Sequence, residues 1–148
     1  MLVHLRKMNE EIIEELKNFA RDLEKLLGER LVAVIIFGSV LTSESFEDID
    51  ILVVVDNTSK DELKEIRRLK IKYRYKLGKY IDLNICEFSD LNKGVVYIAV
   101  AFGKEIYSTG KWKQKKEEIK KRAKERKLQF IEKHGKRVVR WELAELIS

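Results

Sequence analysis

The chain has 148 residues, 45% of them hydrophobic and 38% charged, and a formal net charge of +6. This is length enough for one domain with a sizeable core, and the composition is that of a soluble globular protein. No run approaches the ~18–20 apolar residues of a membrane span, and the stretch Met1-Leu2-Val3-His4-Leu5-Arg6-Lys7 lacks the apolar core of a signal peptide. One cysteine, Cys86, excludes an internal disulfide and fits a reducing cytoplasm; its apolar neighbours suit a buried small hydrophobe. Proline is absent while Lys and Glu abound, a mix typical of proteins from hot habitats. The positive charge is uneven: residues 111–148 hold 14 Lys/Arg against 6 Glu, whereas residues 1–110 hold 17 against 19 Asp/Glu. Attraction of an anionic partner is therefore expected mainly from the C-terminal segment.

Asn9 is placed to cap a helix whose apolar residues, among them Ile12, Leu16, Phe19, Leu23 and Leu27, recur at three- and four-residue spacing until Gly28 ends it. Leu31 to Phe37 is a continuous apolar run, read as a strand buried on both faces. Gly38-Ser39 breaks it, a polar loop follows, and a second apolar strand runs to Val55 after opening with Asp48-Ile49-Asp50. Ser59-Lys60-Asp61-Glu62 is a capping-box pattern that starts a helix through Leu63, Ile66, Leu69, Ile71 and Tyr73 to a stop near Gly78. Tyr80 to Phe88 alternates as a third strand, with Ile81, Leu83 and Ile85 on one face and Asp82 and Asn84 on the other.

Val95 to Ala101 suits a strand by composition, but the cap at Ser89/Asp90 and the stop at Gly103 favour a helix. Lys104 to Tyr107 reads as a short edge strand. From Lys111 the composition predicts a long basic helix, interrupted at Gly135. Beyond it Val138, Val139, Trp141, Leu143, Leu146 and Ile147 form an apolar end suited to a homo-oligomer or partner contact. The expected class is α/β (α+β): a small mixed β-sheet flanked by helices over residues 1–110, with 111–148 as a helical extension of the same domain.

The chemistry lies at the strand starts. Side chains alternate along a strand, so Asp48 and Asp50 share one face, roughly 7 Å apart. If the third strand is a neighbour, Asp82 joins them at one end of the sheet. Carboxylates gathered there are costly to desolvate without a cation, and hard oxygen ligands select Mg²⁺ or Mn²⁺. Gly38 permits a tight turn whose exposed N–H groups, with the Ser39 hydroxyl, suit a phosphate.

A Gly-Ser after a strand, a loop, Asp-x-Asp opening the next strand and a third Asp on a later one resemble the signature of the DNA polymerase beta-like nucleotidyltransferases. Over residues 9–107 the chain is similar to their minimal nucleotidyltransferase branch, whose members often stand beside a HEPN-domain partner. The resemblance implies that Gly38 and Ser39 contact the triphosphate of a nucleotide, in all expectation ATP. It implies that Asp48, Asp50 and Asp82 bind two Mg²⁺ ions and that Asp82 helps activate the acceptor hydroxyl. The implied reaction transfers a nucleoside monophosphate to that hydroxyl, which in partnered members can be a tyrosine of the HEPN protein, acting as toxin to this antitoxin. Two features depart from the pattern: Thr42 and Ser43 stand where a basic residue and a glycine are common, and the eight-residue loop between Ser39 and Asp48 is short.

Two other readings compete: an inactive antitoxin-like module that masks its partner, and an RNA nucleotidyltransferase docking RNA on the basic tail. The ten Lys/Arg and three Glu of residues 111–127 read more readily as a solvated helical face than as a nucleic-acid site. Trp112, Phe130 and Trp141 read as packing residues, Tyr73, Tyr75 and Tyr80 as decoration of a helix–strand boundary, and His4 and His134 are too isolated for zinc.

Overall fold

The computed structural model describes residues 2–41, 46 and 48–134, with side chains from residue 9 to residue 126 of that set. Thr42, Ser43, Gly135, Trp141 and the apolar end at 138–147, together with the side chains of His4, Phe130 and His134, lie outside the described residues. The elements are α1 (Leu2–Leu27), β1 (Leu31–Phe37), β2 (Asp48–Val55), α2 (Lys60–Leu77), β3 (Tyr80–Glu87), α3 (Gly94–Phe102), β4 (Lys104–Ser108) and α4 (Gly110–His134). Short 3-10 turns at Gly28–Arg30 and Ser39–Leu41 flank β1.

The four strands form one mixed sheet in the order β3-β2-β1-β4. β1 runs antiparallel to both its neighbours, while β2 and β3 are parallel, joined through α2 as a β-α-β unit. β1 and most of β2 are buried throughout because helices cover both faces. On one face Leu16, Phe19 and Leu23 of α1 and Ile66 of α2 pack against Val34, Ile36, Ile49, Ile51 and Ile81. On the other, Val96 and Ala99 of α3 and Trp112 and Ile119 of α4 pack against Ile35, Phe37, Leu52, Val54 and Cys86. Each fully buried side chain of this size contributes about 1.5–3 kcal/mol. A bulge between Leu31 and Ala33 shifts the register and puts Val32 and Ala33 on the same face.

Most expected elements stand where the residue pattern puts them, including the helical form of Gly94–Phe102 and the buried Cys86. Three expectations fail. The Ser89/Asp90 cap is not used, since α3 begins at Gly94 after Lys93, and Tyr73 is buried edge-on to Phe19 rather than decorating a boundary. Asn9 is no cap, since α1 begins at Leu2, and its Nδ2 instead donates to the Val40 carbonyl at 3.2 Å. The C-terminal helix is rooted in the domain: Trp112 is fully buried, and Thr109 Oγ1 donates to Val32 O at 2.9 Å.

α2 opens with the full capping box, Ser59 accepting from the Glu62 N–H at 3.1 Å and Glu62 accepting from the Ser59 N–H at 3.0 Å. Both Glu62 oxygens also accept from Arg30, whose Nη1 lies 2.6 Å from Oε1. The Arg30 bond, then the Ser59 N–H, holds the Glu62 carboxyl down to about 2. Its folded pKa is below the unfolded value near 4.3, so its stabilisation is present above that value and is lost as pH falls toward 2. Chemical denaturation across acid pH should show wild type losing its advantage over Glu62→Gln between about pH 4.5 and 2, with a constant gap above that window.

Candidate active site

β2 places Asp48 and Asp50 on the face shared with Leu52 and Val54, at the strand's N-terminal end. The parallel register sets Asp50 directly opposite Asp82 and Asp48 opposite Tyr80. The neighbour relation on which the sequence reading depended therefore holds. The Asp50 and Asp82 carboxyl groups lie within hydrogen-bonding reach of each other. Asp50 is half-buried, whereas Asp48 and Asp82 are exposed. Burial, the hydrogen bond with Asp82 and the charges of Asp82 and Asp48 together push the Asp50 carboxyl up to about 6.

Gly38 completes this end of the sheet. It follows Phe37, the register partner of Asp50, and its φ of 83° lies in the left-handed region. A Cβ there would overlap the Asp50 carboxylate and lie 3.1 Å from its Cγ. Glycine is needed twice over, for the backbone angle and for the approach of the turn to the carboxylate. Ser39 is exposed at the start of the 3-10 turn, and the buried Val40 anchors that turn in the core while its carbonyl takes the Asn9 bond. Gly38, Ser39, Asp48, Asp50 and Asp82 thus meet at one edge of the molecule.

Lys79, absent from the sequence reading, also works here. Its Nζ donates to the Phe46 carbonyl at 3.0 Å and lies 4.8 Å from the centre of the Phe46 ring. Phe46 is buried and sits two residues before Asp48, so Lys79 pins the approach to the Asp-x-Asp. A lysine that makes its contact with a carbonyl on another element leaves no local pattern to find.

Among the described residues, no three His, Cys, Asp or Glu side chains stand close enough to grip one metal ion as they lie. Only Asp50 and Asp82 touch. The donor set still suits a hard divalent cation: it is all oxygen, it is acidic, and it brings two carboxyl groups together where an ion would relieve their repulsion. The exposed Asp48 side chain is free to rotate toward such an ion at small cost.

Residues 10–112 match the family model described as polymerase beta, nucleotidyltransferase. The chain is 30% identical over 152 aligned residues to a protein of Methanocaldococcus jannaschii, covering 95% of this chain and 98% of that one. A second protein of the same organism is 37% identical over 68 residues, 45% of this chain and 69% of that one, and both bear the name "Putative protein adenylyltransferase". Among solved structures the fold is similar to a chain in the complex of a tri-AMPylated Shewanella oneidensis HEPN toxin with MNT antitoxin, at 19% identity and a TM-score of 0.51 over 84% of this chain and 97% of that one. It is also similar to a chain of a toxin–antitoxin complex with AMP-PNP, at 21% identity and a TM-score of 0.52 over 79% and 90%.

The chain belongs to the polymerase beta-type nucleotidyltransferase family, and its fold is the one expected of the minimal branch. Enzymes of this fold generally use divalent metals. No helix of the described residues is long and apolar enough to cross a membrane.

The raised Asp50 carboxyl gives a stability signature. Because the folded pKa exceeds the unfolded one, stability falls as pH rises from about 4 to 6. In chelator at pH 7.5, Asp50→Asn should therefore raise the thermal midpoint by a few degrees, a gap that closes below about pH 4. Gly38→Ala should cost about 1–3 kcal/mol, and a double-mutant cycle with Asp50→Ala should recover the part due to overlap.

Proposed function

We propose that this protein is a metal-dependent adenylyltransferase that moves AMP from ATP to a hydroxyl of a partner protein, with a HEPN-type toxin as that partner. The observation that carries the reading is the contact of Asp50 with Asp82 across the β2–β3 register, directly against the Gly38 turn. The names of the archaeal relatives and the adenylylated toxin complex of similar fold support the choice of AMP and of a protein acceptor.

In this reading the turn N–H groups and the Ser39 hydroxyl hold the triphosphate. The acceptor oxygen attacks the α-phosphorus, the bond from that phosphorus to the bridging oxygen breaks, and pyrophosphate leaves. Asp82, on the exposed edge strand, takes the acceptor's proton. Asp48, Asp50 and Asp82 would hold two Mg²⁺ ions, which supply Lewis-acid stabilisation of charge on the reacting phosphate when bound. Binding them requires the Asp50 carboxyl to be ionised, so metal affinity should rise through about pH 6.

The test is transfer of labelled AMP to a HEPN-type protein co-expressed and co-purified with this chain. Transfer should require Mg²⁺ or Mn²⁺ and drop at least about a thousandfold in Asp48→Asn and Asp50→Asn. Mg²⁺ should also raise the thermal midpoint of wild type and leave that of Asp50→Asn unmoved. A partner that is bound and silenced without transfer would replace the catalytic reading with the masking one. RNA addition is the weaker alternative, because the buried Trp112 is not available for stacking on bases. Removing residues 111–148 would not test it cleanly, since that also strips Trp112 and Ile119 from the core.

A further inference from the structure

From Ile66 to Tyr80 the chain carries seven Lys/Arg and no Asp or Glu. These side chains divide by what surrounds them. On the flank of α2 facing α1, Lys76 pairs with Glu15 at 2.8 Å and Lys72 with Asp22 at 3.7 Å. On the opposite flank Arg67, Lys70 and Arg74 follow one another at helical spacing, and none forms an ion pair among the described residues. Lys70 and Arg74 lie over the Tyr80 ring instead, 5.5 and 4.7 Å from its centre. Between the two flanks Ile71 is 51% exposed and Tyr75 84% exposed, an i,i+4 pair on the outermost row of the helix. With Tyr80 at 47%, three of the four exposed large hydrophobics among the described residues fall on this one strip.

Unpaired cations beside an exposed aliphatic and two tyrosines have the composition of a protein interface, where aromatic residues and Arg are enriched. The strip also has a direction. Its Lys70 and Arg74 reach Tyr80, the first residue of β3, which is an edge strand of the four-stranded sheet. Tyr80 is the register partner of Asp48 and stands two residues before Asp82. Tyr80 thus joins the α2 strip to the strand end that carries the carboxylates.

We propose that the α2 face formed by Arg67, Lys70, Ile71, Arg74 and Tyr75 is the docking surface for the acceptor protein, which meets it with an acidic patch around an apolar contact. This rests on the adenylyltransferase reading for the role of the docked molecule, but not for its binding. Charge complementarity fixes the sign of the partner. Ile71 favours protein over nucleic acid, because an exposed aliphatic side chain adds nothing to contacts with phosphate, and the Tyr80 ring is already covered by two cations.

Fluorescent peptides of equal length, with one tyrosine flanked by Glu/Asp, by Lys/Arg or by Gly/Ser, and an oligouridylate, would be titrated with the full chain at two salt concentrations. The acidic peptide should bind at least tenfold tighter than the neutral one, and less tightly at high salt. Arg67→Glu/Lys70→Glu/Arg74→Glu should abolish that preference and Ile71→Ser/Tyr75→Ser should weaken it. Lys113→Glu/Lys121→Glu/Lys124→Glu on α4 should preserve it. In labelled-AMP transfer, the triple α2 reversal should raise the KM for the acidic peptide about tenfold and leave that for ATP unchanged. Equal binding of the three peptides, a preference that survives the α2 reversal, or oligouridylate as the tightest ligand of this face would overturn the proposal. Acidic-peptide binding that depends on α2 but yields no transfer would uphold the docking surface and remove only the catalytic reading.

Discussion

Two carboxyl groups facing each other across parallel strands are the constraint around which this molecule is arranged. Asp50 and Asp82 repel when both are ionised, and burial of Asp50 makes ionisation costlier still. Everything near them tolerates or exploits that cost. Gly38 contributes no side chain, so the turn closes against Asp50; Val40 and Asn9 secure the turn from below; Lys79 fixes the residue that leads into β2. The strain is local because the rest of β2, from Ile51 to Val55, is fully buried and packed on both faces. Such a centre costs stability, which the packed scaffold around it supplies.

The residues that make this centre were legible for a simple reason. Period-two alternation fixes the faces of β2 and β3, and the β-α-β connection through α2 makes adjacent parallel strands the ordinary outcome. The capping box of α2 and the continuous apolar run of β1 have equally local causes, and both appear as read. What escaped the sequence is what distance hides. Asn9 looks like a helix cap because caps are judged by near neighbours, yet its partner is Val40, and α1 extends past it to Leu2. Lys79 is one lysine among many until Phe46 is placed beneath it.

A count of charge by segment says less than a count by partner. Counting by segment sends attention to residues 111–148, where the excess is largest. There Lys111, Lys115, Lys116 and Lys120 pair with carboxylates of α4, of β4 and at the end of β2, while Lys113, Lys121, Arg122, Lys124 and Arg126 form no ion pair among the described residues. The cations without carboxylate partners beside the site lie on α2, in a part of the chain that is slightly acidic as a whole. Net charge describes how a chain behaves in a field; which cations are available to a partner depends on how folding has already spent them.

Trp112 has one more consequence. The chain has two tryptophans, and this one is sealed in the core with its indole N–H unmatched by any acceptor among the described residues. An indole in so apolar a setting emits at short wavelength and shifts to the red once water reaches it. The seating of α4 on the sheet is thus written into the protein's own fluorescence, where loosening of that helix is visible without any added label.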